Sequence, residues 1–184
     1  LYEFYRGATA HRKSSGVNFF SALWHLAARN RRRYGGYVIH LGVTFMAVGI
    51  IGIEMLQTET QGTLAYGEHM SIGDYVLVYN EIEEFPTADD RIVTRAIVSV
   101  YKDGEFVAEL HPRRDFYVDS QQPMTIPDVY STLEADVYVL LVDWKPIGAQ
   151  GATFKIYLNP LVNWLWLGGS MFILGTLIAA WPTK

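Results

Sequence analysis

Tyr37-Val-Ile-His-Leu-Gly-Val-Thr-Phe-Met-Ala-Val-Gly-Ile-Ile-Gly-Ile53 is an apolar run directly behind the basic cluster Arg29-Asn-Arg-Arg-Arg33. Extended from about Tyr34 to Leu56, it approaches the ~20 residues that an α-helix needs to cross the hydrocarbon layer. A second block, Pro160 to Trp181, contains no Asp, Glu, Lys or Arg. Both read as transmembrane helices. Neither is a signal peptide: the first lies too far into the chain and lacks a small-residue cleavage site, and the second is C-terminal. Half of the 184 residues are hydrophobic, and the excess is concentrated in these two blocks.

Charge orients the spans. Arg6, Arg12, Lys13, Arg29, Arg31, Arg32 and Arg33 precede the first block, opposed only by Glu3, whereas acids outnumber bases between the blocks. The positive-inside rule then places the N-terminal segment and Lys184 in the cytoplasm and residues 57–159 outside. Tyr34, Tyr37 and Trp181 would mark the inner interface, and Trp164 with Trp166 the outer one. The predicted organisation is a cytoplasmic loop with an interfacial helix (1–33), a transmembrane helix (34–56), an exported β-rich domain (57–159), a second transmembrane helix (160–181) and a cytoplasmic tail (182–184). In the first segment Asn18 could cap a helix with Phe20, Leu23, Trp24 and Ala27 at helical spacing. Such a pattern serves an amphipathic membrane-surface helix and a cytoplasmic packing helix equally well.

Between the blocks the apolar period changes to two. Ile92, Ala96, Val98 and Val100 alternate with Val93, Arg95, Ile97 and Ser99, and Phe106, Ala108 and Leu110 continue after Lys102-Asp103-Gly104. Asp-Gly between two such runs predicts a hairpin. Tyr75 to Tyr79, Val137 to Val142 and Thr153 to Leu158 are further strands, and Glu81 to Asp90 reads as a solvated acidic loop. The fold class is therefore an integral membrane α-helical chain, two transmembrane helices flanking a small antiparallel β-sandwich or barrel. There is no cysteine, which excludes disulfides, dithiol redox chemistry, thiolate ligation and thiol nucleophiles.

Glycines at 35, 42, 49 and 52 form a small-residue stripe along the first span, and such stripes let helix backbones approach closely. His40 lies about 160° from Gly42 around the helix at ~100° per residue, so the helix has two working faces. Gly36 stands one turn before His40, with Thr44 and Ala47 beyond, and leaves room for a flat macrocycle. In the second span, Pro160 suits a first-turn position, Gly168-Gly-Ser170 offers a close-packing site, and Asn163 is expected to be solvated at the outer interface. The 184 residues look like part of a longer polypeptide, since the chain opens without Met and two helices make a poor home for a buried ligand.

His11, His25, His69 and His111 lack companions at metal-ligand spacing, and no H-E-x-x-H, G-x-G-x-x-G, P-loop or G-x-S-x-G pattern is present. His69 falls near a strand entry and His111 on the outward face of its hairpin strand. His40 differs because a neutral imidazole in lipid needs partners for both ring nitrogens. Two readings compete: a hydrogen bond to another helix, or an axial bond to haem iron, with Arg31, Arg32 or Arg33 within reach of the haem carboxylates.

Arg31-Arg-Arg-Tyr-Gly-Gly-Tyr-Val-Ile-His-Leu-Gly42 resembles the R-R-x-G-G-x-x-x-H-x-G signature of the CcmF family of cytochrome c maturation. Glu3-Phe-Tyr-Arg-Gly7, Leu110-His-Pro-Arg-Arg-Asp-Phe-Tyr117 and Asn159-Pro-Leu-Val-Asn-Trp-Leu-Trp-Leu-Gly-Gly169 are similar to further family segments in the same order. The resemblance implies the C-terminal portion of a haem lyase subunit in a bacterial inner membrane. His40 would be one axial ligand of a transmembrane haem b, the other coming from an upstream part of the same polypeptide or from another subunit. The family's tryptophan-rich W-W-D haem-handling segment has no counterpart here, so no catalytic residue of attachment is assigned. Met124-Thr-Ile-Pro-Asp-Val departs from the family's more acidic version. Implied partners are the haem chaperone CcmE, a CcmH-type thiol protein, apocytochrome c, quinol and the lipid bilayer; no nucleic acid is among them. Two other classes stay open, a haem-containing quinol oxidoreductase subunit and a haem-free membrane-anchored scaffold.

Overall fold

A computed structural model describes residues 30–144 and 151–181. The expected N-terminal amphipathic helix, His11, His25 and Lys184 lie outside the described residues. Two long helices enclose ten strands in chain order: α1 (Arg31–Leu56), β1 (Thr58–Leu64), β2 (His69–Ile72), β3 (Tyr75–Pro86), β4 (Arg91–Lys102), β5 (Glu105–Leu110), β6 (Arg113–Tyr117), β7 (Gln122–Ile126), β8 (Asp128–Ser131), β9 (Ala135–Trp144), β10 (Ala152–Pro160) and α2 (Val162–Ala180). Both helices are long and apolar enough to cross a membrane. The chain divides into two compact units, one holding α1 up to Val48 with α2 from Trp164, the other residues 49–163.

The β unit is an antiparallel sandwich. One sheet runs β1-β10-β9-β8; the other runs β2-β3-β4-β6-β7, with β5 also on β4. β4 serves two partners along one edge, pairing β6 through Arg91–Arg95 and β5 through Val98–Lys102. The Asp103-Gly104 turn closes β4 onto β5, and both residues have positive φ, 53° and 83°, as a two-residue hairpin loop requires. Leu77, Tyr79, Val98 and Val100 from one sheet meet Val137, Val139, Leu141, Phe154 and Ile156 from the other, all at most 2 % exposed. Tyr66 stacks on Tyr79 at 5.1 Å between ring centres, and Tyr79 tilts against Phe154.

Several local expectations are corrected. Glu81 to Pro86 is strand, not loop, and only the residues from Thr87 to Asp90 make the turn. The acidic side chains find partners across the ladder: Glu83 accepts from Arg95 at 2.6 Å and Glu84 from Thr94 at 3.2 Å. A bulge at Asn80, between Tyr79 and Glu81, separates this half of β3 from the apolar half. His111 stands after the last residue of β5, its backbone N–H donating to Asp128 Oδ2 at 2.8 Å and its ring 3.1 Å from Glu109. Pro160 closes β10 instead of opening α2; Leu161 at φ 61° makes the corner and the helix starts at Val162. Asn163 is not merely solvated, because its amide donates to Thr132 O and to Asp136 Oδ1, each at 2.7 Å.

Candidate functional site

The glycine stripe of α1 is a helix-packing seam. A methyl carbon placed on Gly42 would lie 2.7 Å from Gly168 O, and one on Gly35 would lie 2.7 Å from Gly175 O. Reciprocally, a methyl on Gly168 would lie 2.6 Å from Met46 N and one on Gly175 2.8 Å from Ile39 N. Only hydrogen fits between such backbones. Gly169, expected in the same site, has nothing within 4 Å of its methyl position, and Gly175 takes the second contact instead. Beside the seam, Phe45 meets Trp164 edge-on at 5.1 Å.

His40 occupies the other side. It is exposed, and its ring Nδ1 lies 2.8 Å from the carbonyl oxygen of Gly36, one turn earlier on its own helix. A carbonyl only accepts, so Nδ1 carries the proton and Nε2 of the neutral ring keeps its lone pair. An imidazole held this way has one nitrogen fixed by a backbone partner, an arrangement compatible with ligation through the other. The ring leans back over Gly36 because helical side chains tilt toward the N-terminus. Among the described residues nothing lies within 4 Å of the methyl position of Gly36, so that side of the imidazole is uncrowded by them. Thr44 completes the turn by donating to His40 O at 2.9 Å. Among the described residues, the imidazole's hydrogen bond is intrahelical, not the cross-helix bond that competed with ligation.

At the N-terminal end of α1, Arg32 and Arg33 are exposed and Arg31 half-buried. Arg33 Nε donates to the Tyr37 hydroxyl at 3.0 Å, and its guanidinium lies 5.8 Å from the centre of that ring. The sequence grouped the three arginines together; their angular positions separate them.

The sandwich carries two other polar constellations. Asp115 is fully buried on β6, bonded by Arg91 at 2.6 Å, with Arg113 Nε 3.3 Å from its second oxygen. The Arg91 pair ties β4 to β6, while Arg113 approaches from β6 itself. A cleft of about 430 Å³ opens where Glu84, Ile92, Thr94, Arg114, Phe116, Pro123 and Trp144 meet. Arg114 crosses it to donate to Val142 O at 2.8 Å, beneath Trp144. None of these described lining side chains is a nitrogen or sulfur axial donor for a haem. His69 is the exposed first residue of β2, and no group of three His, Cys, Asp or Glu among the described residues is placed to hold a metal ion.

Comparison with known proteins places this architecture. Residues 55–160 match the family model described as the CcmF C-terminal beta-sandwich. The cytochrome c-type biogenesis protein CcmF of Haemophilus influenzae is 29% identical over 184 residues, covering 100% of this chain and 27% of that protein. Its counterpart in Pseudomonas fluorescens is 27% identical over 159 residues, covering 84% of this chain and 23% of the relative. The solved structure titled Cytochrome c Heme Lyase CcmF shares the fold with a TM-score of 0.67 at 21% identity, over 97% of this chain and 33% of that one. The chain thus spans about a quarter of the length of the curated relatives it matches. With the family model covering more than half of the sequence, the chain belongs to the CcmF family, as its C-terminal β-sandwich with two flanking apolar helices.

Proposed function

We propose that this chain supplies His40 as one axial ligand of a membrane haem b within a cytochrome c haem lyase, and an exported docking domain for the maturation partners. The observation that carries the first part is the state of the imidazole: Nδ1 donates to Gly36 O, and Nε2 is left as a neutral donor on the helix side that Gly35 and Gly42 do not occupy. The residues present fit the group. Gly36 adds no atom to the face beside the ring, and Arg31, Arg32 and Arg33 supply cations for the carboxylates about two turns away at ~1.5 Å per residue.

When bound, the haem supplies one-electron transfer that keeps the incoming haem ferrous for attachment to the apocytochrome thiols, with quinol as the source of electrons. The protein's own share is to fix the imidazole tautomer, hold the ring over Gly36 and set the local charge. The second axial ligand belongs to an upstream part of the same polypeptide or to another subunit. α1 and α2 are assigned to the bacterial inner membrane, and residues 57–159 to its periplasmic side. Acidic surface residues and the exposed Phe106, Met124 and Leu133 make the sandwich the surface for CcmE, a CcmH-type thiol partner and the apocytochrome.

Visible spectra of the complete haem lyase and of its His40→Ala variant test the reading. Loss of the reduced b-type bands in the variant is expected. An unchanged spectrum refutes ligation by His40 and returns the chain to a scaffold role.

A further inference from the structure

We propose that the cleft around Arg114 receives an extended segment of a partner protein in which an aromatic or aliphatic residue stands next to an Asp or Glu. The proposal rests on the docking role given to the sandwich above and does not depend on haem at His40. Two rows of side chains build the cleft. Strand register sets Pro86, Ile92, Phe116 and Pro123 side by side across β3, β4, β6 and β7, and two residues along the strands it sets Glu84, Thr94, Arg114 and Thr125 side by side. Ile92 and Thr94 continue the alternation of the core residues Ala96, Val98 and Val100. Both rows therefore lie on the core-building face of this sheet, where the opposite sheet contributes Trp144 and the Val142 carbonyl. The apolar row is left open, with Ile92 and Phe116 each 38% exposed.

The chemistry of the rows selects the occupant. Apolar surface held open to water gains free energy when a second apolar surface covers it. Arg114 supplies the charge. Its Nη1 donates to Val142 O at 2.8 Å and its guanidinium lies 5.7 Å from the Trp144 ring centre, contacts that fix the side chain without a counter-ion. Among the described residues Nε and Nη2 have no hydrogen-bond partner, and together they form a fork edge that grips a carboxylate with two parallel bonds. Glu84, in the same row, accepts from Thr94 at 3.2 Å and stands two strands away from Arg114, about 10 Å at the usual strand spacing. A carboxylate brought by a partner complements the cation. The rows are about 7 Å apart and about 14 Å long, room for about four residues of extended chain. Successive side chains of such a chain point to opposite sides, so a segment between the rows sets one on Ile92 and Phe116 and the next on Arg114. An open strip of this length suits a peptide, whereas small-molecule sites enclose most of their ligand.

The test is fluorescence anisotropy of the complete haem lyase in nanodiscs of zwitterionic lipid. Three labelled probes are compared: an alternating Phe-Glu peptide blocked at both ends, the same peptide with Gln for Glu, and a Phe-Gln peptide with a free C-terminal carboxylate. Wild type is expected to bind the Phe-Glu peptide on the order of tenfold more tightly than its blocked Phe-Gln counterpart, the difference made by one charge-assisted pair. Arg114→Gln abolishes that preference and Phe116→Ser weakens both blocked peptides. Arg95→Gln, on the opposite face of β4 and paired with Glu83, changes neither. Equal binding of the two blocked peptides by wild type overturns the proposal, and this comparison holds even where Arg114→Gln disturbs the fold. Tightest binding of the free-carboxylate peptide assigns Arg114 to chain termini and overturns the side-chain assignment. The docking reading fails separately: photocrosslinkers at Phe106, Phe116 and Met124 that yield no adduct with any maturation partner remove it, whereas adducts at Phe106 or Met124 with equal peptide binding remove only the cleft.

Discussion

Gly42→Ala and Gly36→Ala add the same methyl to the same helix six residues apart, and they should have opposite consequences. At Gly42 the new carbon falls 2.7 Å from Gly168 O and 2.8 Å from Phe172 N. Both obstacles are backbone, so no side-chain rotation relieves them, and α2 must retreat by about 0.7 Å to restore ordinary contact. A gap of that size forfeits roughly a third of each dispersion contact across the crossing. About 20 atom pairs at ~0.15 kcal/mol each then lose about 1 kcal/mol. Strain that the retreat does not relieve adds about 1–2 kcal/mol, and the better helix propensity of alanine returns ~1 kcal/mol. The net cost is about 1–2 kcal/mol, or a fall of about 4 °C in the thermal midpoint for a chain of this size. Gly36 has nothing within 4 Å of the methyl position, so Gly36→Ala keeps the midpoint at or above wild type. Thermal unfolding of the chain in nanodiscs, followed by far-ultraviolet circular dichroism, reads both. A Gly42→Ala midpoint no lower than that of Gly36→Ala refutes the assignment of the seam to the Gly42 side and of the open face to His40.

Two further outcomes concern the sandwich. Asp115→Asn keeps the shape but removes the charge that receives Arg91 at 2.6 Å and faces Arg113; it should destabilise the domain by about 2 kcal/mol, measured as a lowered thermal midpoint, and an unchanged midpoint would show that the buried ion pairs contribute nothing net. At Asp136, burial holds the carboxyl above the usual carboxylate range, against the lowering effect of hydrogen bonds from Ser131, Asn163 and the Thr132 backbone. A raised native pKa means that the folded state binds the proton more tightly, so this group's contribution is full at low pH and is lost as pH rises through its folded pKa. Asp136→Asn should remove that decline and leave the protein at least as stable as wild type at neutral pH, and a steeper decline in the variant would reverse the sign of the argument.

The parts of the sandwich legible in the sequence were those where both sheets bury a face. β4, β9 and β10 alternate over much of their length because Ala96, Val98, Val100, Val137, Val139, Phe154 and Ile156 meet in one core. The hairpin was legible for a different reason, since Asp103-Gly104 answers a backbone demand independent of packing. What stayed hidden lies at edges or on open faces. β1, Thr58-Glu-Thr-Gln-Gly-Thr-Leu64, is held by seven Cα pairs with β10 and buries only Leu64 fully. β7 contains Pro123, which reads as a strand breaker until it is seen on an edge, where its missing N–H costs no ladder bond. The acidic half of β3 looked like loop because its pairing depends on charges and hydroxyls contributed by β4, fifteen or fewer residues downstream, which no local hydrophobic count registers.

The candidate site divides in the same way, between what spacing alone fixes and what needs atoms. Spacing placed His40 opposite Gly42, and the contacts of Gly35, Gly42, Gly168 and Gly175 give that division a cause: one side of α1 is consumed by backbone-to-backbone packing. Neighbouring glycines then acquire different tasks. Gly35 is small because α2 comes too close for a methyl, whereas Gly36 meets no neighbour within 4 Å and yet supplies the carbonyl that sets the His40 tautomer. A glycine pair read only as a packing motif would assign both residues to the seam. The hydrogen bond separates them, because a backbone oxygen fixes Nδ1 without a side chain that would crowd the other ring nitrogen.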